Sequence, residues 1–275
     1  MRFTKVHGLG NDFVLIDGRS LGQIDYNALA PRLCRRQTGI GADGLLLLLA
    51  SETADVRMRI VNADGSEAEM CGNGIRCFAK YVYERGVLGH ETFAVETLAG
   101  MMRPRLTVEN GAVTGVGIDM GEPFLHCEQI PVLGEGLCVE RPLTVRGEEL
   151  RFTSVLVGVP HTVLYVDDPT DKRWMDLGWD IEHASVFPKR TNVNFVRVLD
   201  GGTLEMRTFE RGCGPTLACG TGACGAAVAS VLTGRTGRSV DVRVALGTLH
   251  VDWAEDNHVY MSGPAELVFD GEIDI

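Results

Sequence analysis

The sequence contains no apolar run long enough to cross a membrane. Its longest, Leu45–Ala50, falls far short of the roughly 20 residues that a membrane-spanning helix needs. The amino-terminal segment MRFTKVHGLGNDF also lacks the apolar stretch and small-residue cleavage site of a secretory signal. With 45% hydrophobic and 23% charged residues, the composition is typical of a soluble globular protein. We therefore expect a cytoplasmic protein that has no membrane partner.

Lysine and positive charge are also scarce. Only four of the 26 basic residues are lysines, no basic run is longer than Arg35-Arg36, and the formal net charge is −11. Binding to nucleic acid requires a basic patch that neutralises phosphates, so nucleic acid is not an expected partner. None of the lysines lies in a recognisable phosphate-binding context, and the Schiff base that pyridoxal phosphate requires therefore has no candidate.

Cysteine is too sparse for a disulfide scaffold. There are eight cysteines in 275 residues, well below the roughly 8 to 10% that marks such proteins. No two of them have the C-x-x-C spacing of a zinc site. The string GIGADG at 39–44 satisfies G-x-G-x-x-G, but it precedes an apolar strand-like run, whereas the dinucleotide fingerprint follows a strand and opens a helix. We therefore expect neither a metal nor an organic cofactor.

What the sequence does contain is an internal repeat. MCGNGIRC at 70–77 matches ACGTGACG at 218–225, and HGLGNDFVLID at 7–17 matches VGVPHTVLYVD at 157–167, both at an offset of about 150 residues. Matching blocks in the same order indicate two diverged tandem copies of one unit. We therefore expect an N-terminal domain at 1–118 plus 265–275 and a C-terminal domain at 119–264.

The repeat register pairs residues that could act together. Asn11 lies opposite His161, Asn62 opposite Glu210, and Cys71 opposite Cys219. The final run, which reads as a strand from 265 to 275, follows the second helix and could return to either domain. We assign it to the first.

Each copy reads as strands followed by one helix. The helical stretches IRCFAKYVYERG and ACGAAVASVLTG end at the plausible C′ glycines Gly86 and Gly234, and the second is apolar on every face, which predicts burial. Another helix is expected over Tyr26–Gln37. Short β-rich runs punctuated by Gly, Asn and Asp read as antiparallel meanders: 13–16, 56–61, 163–166, 194–199 and 204–209. These patterns predict an α+β fold of two pseudo-symmetric domains, each a mostly antiparallel sheet wrapped around a central helix.

The motif Cys-Gly-x-Gly directly precedes the helix in both copies. Its glycines allow a tight turn, and the first-turn N–H groups, which lack partners inside the helix, point out beside the sulfur. Such a helix start attracts a carboxylate. It also favours thiolate over thiol, whereas only about 3% of an unperturbed thiol is ionised at pH 7.

Two such sites suit a racemase that uses two bases. If the sites face one another across a domain cleft, one carboxylate can lie at two helix ends with a sulfur on each face of its α-carbon. Cys71 or Cys219 would then remove the α-proton as thiolate while the other delivers a proton as thiol. A disulfide between the two is conceivable as an inactive oxidation product. For the other cysteines simple packing is the preferred interpretation: Cys34, Cys77, Cys127, Cys138, Cys213 and Cys224.

The chain resembles the diaminopimelate epimerase family from end to end. The resemblance is carried by five motifs: HGLGNDF at 7–13, NADGSEAEMCGNGIRC at 62–77, PHTVLYVDD at 160–168, ERGCGPTLACGTGAC at 210–224 and MSGPAELVFDG at 261–271. It implies cofactor-independent interconversion of LL- and meso-2,6-diaminopimelate, a step that feeds lysine and peptidoglycan synthesis. It also implies two similar α+β domains and a homodimer.

The same resemblance implies a role for individual residues. Cys71 and Cys219 correspond to the catalytic thiols, and His161 and Glu210 to residues that adjust the pKa of those thiols. The implied substrate-binding residues are Asn11 in the first motif, Gly72, Asn73, Gly220 and Thr221 at the helix starts, and Asn62, Asn192, Glu210 and Arg211 around the distal amino acid centre. Arg211 can clamp a carboxylate with two hydrogen bonds, and Glu210 can receive an ammonium group.

Three positions depart from the family pattern. Val159 replaces a common substrate-binding asparagine, Gly44 stands where some members carry glutamine, and Pro215 replaces a usual glutamate. These changes concern the distal end of the substrate, so a related amino acid racemase or epimerase with another substrate is one alternative. Proline racemase-like enzymes fit less well because their first motif reads CGHG rather than CGNG. A thiol-based redox or ligand-binding protein on the same scaffold is the alternative from a different functional class.

Overall fold

The computed structural model describes residues 1–274. The chain divides into two units: unit 1 comprises Met1–Ile118 and the residues from Gly263 onward, and unit 2 comprises Asp119–Ser262. Ile275, the last residue of the segment that we assigned to the first domain, lies outside the described residues. Within 1–274, no helix is long and apolar enough to span a membrane.

Short strands dominate both units. The helices are α1 (Tyr26–Leu33), α2 (Gly72–Glu84), α3 (Lys172–Glu182) and α4 (Gly220–Leu232). The strands are β1 (Arg2–Gly8), β2 (Asn11–Asp17), β3 (Gly44–Leu49), β4 (Val56–Asn62), β5 (Glu67–Ala68), β6 (Val95–Thr97), β7 (Gly100–Met102), β8 (Arg105–Glu109), β9 (Ala112–Asp119), β10 (Arg141–Val145), β11 (Glu148–Val157), β12 (Val159–Tyr165), β13 (Asn192–Asp200), β14 (Thr203–Glu210), β15 (Gly214–Thr216), β16 (Ser239–Val244), β17 (Gly247–Trp253), β18 (Val259–Gly263) and β19 (Glu266–Glu272).

Unit 1 is built on an 8-stranded sheet in the order β19-β1-β2-β3-β4-β6-β7, with β5 paired to β4. Most neighbours are antiparallel, but β2 and β3 are parallel, as are β4 and β6. A parallel pair needs a crossover connection, and α1 and α2 lie in these two crossovers. The C-terminal strand β19 pairs with β1, and the Thr4 hydroxyl donates to Asp270 over 2.6 Å.

Unit 2 repeats this connectivity. Its strands follow the order β10-β11-β12-β13-β14-β16-β17-β18, with β15 paired to β14. The parallel pairs are β12 with β13 and β14 with β16, and they are bridged by α3 and α4. The repeat inferred from short motifs therefore extends to the order of strands and helices from β1 to β7 in unit 1 and from β11 to β17 in unit 2.

The second helix of each unit packs on its own sheet. α2 contacts β1, β2, β3 and β4, and α4 contacts β11, β12, β13, β14, β16 and β17. In α4, every residue from Gly220 to Ser230 is buried except Thr221, as the all-apolar pattern predicts. Gly86 and Gly234 follow the two helices with φ of +66° and +68°, the left-handed conformation expected of a C′ glycine. The predicted α+β class, with sheet and central helix, is confirmed.

Two local predictions are corrected, and one helix was missed. α1 ends at Leu33 rather than Gln37, because the N–H groups of Ile40 and Gly41 fold back to bond the Leu33 carbonyl at 2.8 and 3.0 Å. α3 was not predicted at all, although Asp171 caps it by accepting from the Arg173 N–H. The meanders are interrupted by the parallel pairs described above.

Most of the cysteines assigned to packing are buried, but one is not. Cys34, Cys77, Cys127, Cys138 and Cys224 lie in the interior. The expectation for Cys213 is wrong, because this residue is exposed in the turn that follows β14, where its N–H bonds to the Glu210 carbonyl over 3.0 Å.

Candidate active site

The start of α2 places Cys71 at the N-cap. Cys71 is extended, with φ −142° and ψ 119°, and its Sγ accepts a hydrogen bond from the Gly74 N–H over 3.4 Å. The Cys71 thiol donates to Asn11 Oδ1 over 3.5 Å, and the Asn73 amide donates to the same oxygen over 3.2 Å. The predicted residues Asn11, Cys71, Gly72 and Asn73 are thus brought together in unit 1, where N–H groups and the positive end of the helix dipole surround the sulfur.

Arg76 holds this helix start from inside. The guanidinium is fully buried and donates to Asn73 Oδ1 over 2.8 Å, to the Gly72 carbonyl over 3.0 Å and to the Pro264 carbonyl over 3.2 Å. Charge-assisted hydrogen bonds of this kind are about twice as strong as neutral ones. The arginine therefore fixes the side chain of Asn73 and the first turn of α2.

Asn11 is oriented by a charged network at the beginning of β2. Its Nδ2 donates to Asp43 Oδ2 over 2.8 Å, and Arg36 donates to Asp43 Oδ1 over 2.7 Å. Arg36 and Lys5 also donate to Asp12. Burial acts to raise the pKa of Asp12, but the hydrogen bonds from Arg36 and Lys5 hold it below its usual range. Asp43 and Arg36 were not among the predicted site residues, although Asp43 lies between the glycines of GIGADG.

The side chain of Asn62 bonds within its own turn. Asn62 ends β4, and its Nδ2 donates to Ser66 Oγ over 3.0 Å within the 62–66 turn. Gly44 pairs with it across the sheet, and a Cβ at Gly44 would lie 2.7 Å from the Val61 carbonyl oxygen. The family's glutamine at position 44 would therefore require a different backbone here.

The start of α4 repeats the arrangement around Cys219. This N-cap residue has φ −127° and ψ 111°, its exposed fraction is 6%, and its Sγ lies 3.4 Å from Thr221 Oγ1. A Cβ at Gly222 would lie 2.6 Å from Asn194 Oδ1 and 3.3 Å from Cys219 Sγ. Only glycine fits at Gly222, because an amide oxygen and a sulfur occupy the space beside it.

His161 is an uncharged residue in the core of unit 2. It has no exposed surface, and burial, helped by the charge of Arg211, lowers the pKa of its imidazole to about 3. Its Nδ1 lies 3.2 Å from Asn194 Nδ2. Within residues 1–274, its buried Nε2 has no hydrogen-bond partner. A Cβ at Gly225 would lie 2.9 Å from His161 Cβ, so the histidine packs directly against α4.

The turn after β14 carries Glu210 and Arg211. Thr216 Oγ1 donates to Glu210 Oε1 over 2.6 Å, and Arg211 Nη1 donates to the Lys189 carbonyl over 3.1 Å. Asn192 fixes this turn by accepting from the Arg211 N–H over 3.0 Å while its Nδ2 donates to the Pro160 carbonyl over 2.8 Å. The Asn192 amide is thus engaged by backbone at both ends.

Two further residues of unit 2, which were not predicted, form a hydrogen-bonded group with His161. Asn194 and Thr208 face each other on β13 and β14, and both are buried. The available signal was the N-V-N spacing at 192–194, since asparagine is disfavoured in a central strand unless its amide has a specific partner. Among the described residues, no cluster of His, Cys, Asp and Glu is arranged to hold a metal ion.

Comparison with known sequences identifies close relatives along the whole chain. A family model described as diaminopimelate epimerase matches residues 3–125 and 153–268. A protein of that name from Moorella thermoacetica is 54% identical over 275 residues, covering 99% of both chains. Another, from Caldanaerobacter subterraneus subsp. tengcongensis, is 52% identical over 276 residues and covers both chains in full.

Solved structures share the fold at much lower identity. A phenazine biosynthesis protein of the PhzF family from Bacillus anthracis superposes with a TM-score of 0.69 at 17% identity, covering 100% of this chain and 99% of that one. A probable proline racemase from Agrobacterium radiobacter superposes with a TM-score of 0.71 at 16% identity, covering 100% and 93%. At these identities the likeness establishes the architecture alone.

Proposed function

The chain belongs to the diaminopimelate epimerase family, and we propose on that premise that it interconverts LL- and meso-2,6-diaminopimelate without a cofactor. The observation that carries the proposal is that each unit places one cysteine, Cys71 or Cys219, at the N-cap of a glycine-rich helix start. A two-base inversion of a carbon centre uses one base and one acid on opposite faces of the carbon. The repeat supplies one candidate thiol for each task.

Every proton that moves in this reaction passes between the substrate and the two thiols. One thiolate takes the α-proton, so a C–H bond breaks and an S–H bond forms. The other thiol then gives its proton to the opposite face of the α-carbon, and the two sulfurs have exchanged protonation states. The developing negative charge spreads onto the substrate carboxylate, where backbone N–H groups at two helix starts stabilise it: those of Gly72, Asn73, Gly220 and Thr221.

The residues assigned to the distal amino acid centre would select the substrate. Arg211 uses Nη1 for the Lys189 carbonyl, and its planar guanidinium has further donors for a carboxylate. Glu210 supplies a carboxylate for an ammonium group. Asn62 and Asn192 complete the proposed set. The Asn192 amide already donates one N–H to the Pro160 carbonyl and accepts one hydrogen bond from the Arg211 N–H, so its second N–H and its second lone pair would contact the substrate.

Hydrogen exchange tests the function. Reduced protein, without added metal or pyridoxal phosphate, is expected to exchange the α-hydrogen of LL-diaminopimelate with D₂O and to form the meso isomer. Cys71→Ala and Cys219→Ala should each abolish epimerisation. Cys213→Ala is the matched control, since Cys213 is an exposed cysteine, and we expect parental activity from it.

The outcomes separate the alternatives. Exchange with another amino acid but not with diaminopimelate would assign the chain to a related racemase or epimerase. That alternative is suggested by the departures from the family pattern at Val159, Gly44 and Pro215. No exchange with any amino acid would overturn the enzymatic proposal and leave a thiol redox or binding role.

A homodimer is the proposed assembly, and the cytoplasm, where thiols stay reduced, is the proposed location. β19 is the outermost strand of the unit 1 sheet, and its Val268 and Phe269 are 52% and 50% exposed. An exposed apolar edge strand is a template for pairing with a second copy. Light scattering should report a dimer for the parent and a monomer for Val268→Lys; a monomeric parent would contradict the assembly.

A further inference from the structure

His161 lies in a hydrogen-bonded chain that starts at Thr208. Thr208 and Asn194 are cross-strand neighbours on β14 and β13, with exposed fractions of 2% and 0%. The Thr208 hydroxyl donates to Asn194 Oδ1 over 3.1 Å. A buried amide is costly unless both of its ends are satisfied, so this contact fixes one end of Asn194.

The other end of the Asn194 amide is fixed independently. Asn194 Nδ2 lies 3.5 Å from the Thr162 carbonyl oxygen, which can only accept a hydrogen bond. The same Nδ2 lies 3.2 Å from His161 Nδ1. The Thr162 carbonyl requires the NH₂ end of the amide, and the Thr208 hydroxyl donates to the oxygen that this orientation leaves on the other side. Asn194 therefore presents its NH₂ group to His161.

This orientation determines where His161 carries its proton. A neutral imidazole has one N–H, and the ring is neutral because burial lowers the pKa of His161 to about 3. Nδ1 accepts from Asn194 and therefore has no hydrogen, so the proton is on Nε2. That Nε2–H is buried and has no hydrogen-bond partner in the described chain. Leaving such a donor unsatisfied costs about 1–3 kcal/mol, and an exception of this kind in a native core needs an explanation.

The hydrogen-bonded chain from Thr208 to His161 also depends on Gly222, the second glycine of the Cys-Gly-Thr-Gly motif. The Asn194 oxygen would lie only 2.6 Å from a Cβ at Gly222, so the amide fills the space that this glycine leaves. His161 packs on Gly225 one turn further along α4, the helix that begins beside Cys219. The network and the candidate thiol thus share one helix.

We infer that Asn194 and Thr208 are positioning residues that hold His161 as the neutral Nε2–H tautomer with its one ring lone pair occupied by Asn194, so that His161 does not act as a base that accepts a proton in the reaction. The inference rests on the proposed function for the reaction, whereas the tautomer follows from the hydrogen-bond network and the complete burial of His161. A thiol that ionises in this reaction therefore does not transfer its proton to His161.

The test reads the tautomer directly. The parent protein, labelled with ¹⁵N-histidine, is examined by two-bond ¹H–¹⁵N correlation, and its His161 signals are assigned from His161→Gln. We expect a proton on Nε2 and none on Nδ1 across about pH 5 to 8. Asn194→Asp offers His161 only acceptor oxygens and should move the proton to Nδ1 or charge the ring. Thr208→Val should give a mixture of tautomers, and Thr208→Ser, which keeps the hydroxyl, should restore the parental signals.

A second readout follows catalysis by Asn194→Asp. The kcat of this variant should fall by roughly tenfold, less than the loss of a group that transfers the proton itself, while KM stays within about twofold.

The outcomes distinguish this inference from the proposed function. A parental His161 with its proton on Nδ1, or unchanged His161 signals in Asn194→Asp, would overturn it even if the enzyme epimerises diaminopimelate. An Nε2–H tautomer in a protein that exchanges no amino acid would leave the network assignment standing and remove the function. If Asn194→Asp does not fold, the Thr208→Val and Thr208→Ser pair decides the tautomer.

Discussion

Asn11 Nδ2 donates a hydrogen bond to Asp43 Oδ2 over 2.8 Å, and this contact decides which end of the Asn11 amide faces the sulfur of Cys71. A carboxylate only accepts, so the nitrogen must point to Asp43 and the oxygen to Cys71. Arg36 holds the other oxygen of Asp43 over 2.7 Å. The acceptor beside the Cys71 thiol is therefore determined, through Asn11, by an ion pair.

Replacing this carboxylate should disturb the candidate site. Asp43 accepts hydrogen bonds from Asn11 on one oxygen and from Arg36 on the other. In Asp43→Asn only one of these positions is still an oxygen, so either Arg36 or Asn11 faces an NH₂ group that cannot accept. We expect kcat for epimerisation to fall roughly tenfold through misplacement of Asn11, and the free energy of unfolding to fall by about 1–2 kcal/mol. Steady-state kinetics in both directions and urea unfolding measure the two effects.

The control for this variant is Asp17→Asn. Asp17 also pairs with an arginine of unit 1, since Arg19 donates to both of its oxygens, but it lies at the far end of β2 from Asn11. We expect parental kcat from it. Equal kcat in Asp43→Asn and the parent would show that Asn11 keeps its orientation without the carboxylate.

Much of the fold is readable from the sequence because its signals are local. The apolar run after Cys219 has no polar face, which permits only a buried helix, and α4 is buried as expected. α3 was missed because KRWMDLGWDIE carries polar residues and an internal glycine. The repeat nevertheless contains it, since α3 occupies in unit 2 the place of α1 in unit 1. The parallel pairs were not predicted because strand direction depends on the crossovers and not on the strands.

The candidate site divides in the same way. The two cysteine motifs are local, because glycines at fixed spacing and a helix start lie in one stretch of sequence. The network behind His161 is not local: it joins β12, β13 and β14 through Asn194 and Thr208, and a tautomer is defined only once those side chains meet. The roles of the individual site residues remain predictions, which the variants proposed above address.

The second glycines of the two motifs should differ in their tolerance of a methyl group. A Cβ at Gly222 would lie 2.6 Å from the buried oxygen of Asn194, whereas the closest atom to a Cβ at Gly74 is Leu46 Cδ2, a movable methyl 3.2 Å away. We expect Gly222→Ala to lower the free energy of unfolding by about 1–3 kcal/mol. Gly74→Ala should stay within about 1 kcal/mol of the parent, because alanine also favours the helix.

Urea unfolding of the two alanine variants, each with its own m-value, makes the comparison. Similar losses in both would mean that Asn194 can move aside, and the tight packing proposed for its amide would then be wrong.

One surface ion pair should make the stability of unit 2 depend on pH. His258 Nδ1 lies 2.9 Å from Asp119 Oδ1, and this hydrogen bond, together with the carboxylate charge, raises the pKa of His258 above its ordinary value of 6.5. A pKa raised by folding means that the protonated form is stabilised in the native state. The contribution is complete below the unfolded value and is lost as pH rises through the raised native value.

His258→Gln should therefore reduce the pH dependence. Between about pH 6 and pH 8.5, we expect the urea midpoint to decrease less in this variant than in the parent. His90→Gln, which replaces an exposed histidine of unit 1, serves as the control and should keep the parental slope. Indistinguishable slopes in all three proteins would show that the pair contributes nothing to folding.

Gly178 permits the close approach of α3 to β14. A Cβ there would lie 2.4 Å from Phe209 Cδ2 and 2.9 Å from Phe209 Cβ. Rotation of the ring relieves only the first contact, so the backbones must separate. Alanine normally gains about 1 kcal/mol over glycine inside a helix, and overpacking a core costs typically 1–3 kcal/mol. Because the clash reaches Cβ, we expect Gly178→Ala to be destabilising on balance.

Phe209 immediately precedes Glu210 and Arg211, so the displacement should also reach substrate binding. We expect Gly178→Ala to lower the Tm and to raise KM for diaminopimelate more than it lowers kcat, as measured by calorimetry and steady-state kinetics. The matched control is Gly201→Ala in the β13–β14 turn, where a Cβ meets open space and the change should stay within about 0.5 kcal/mol. A Gly178→Ala protein as stable as the parent would mean that α3 shifts freely, and the position of Glu210 would then not depend on this helix.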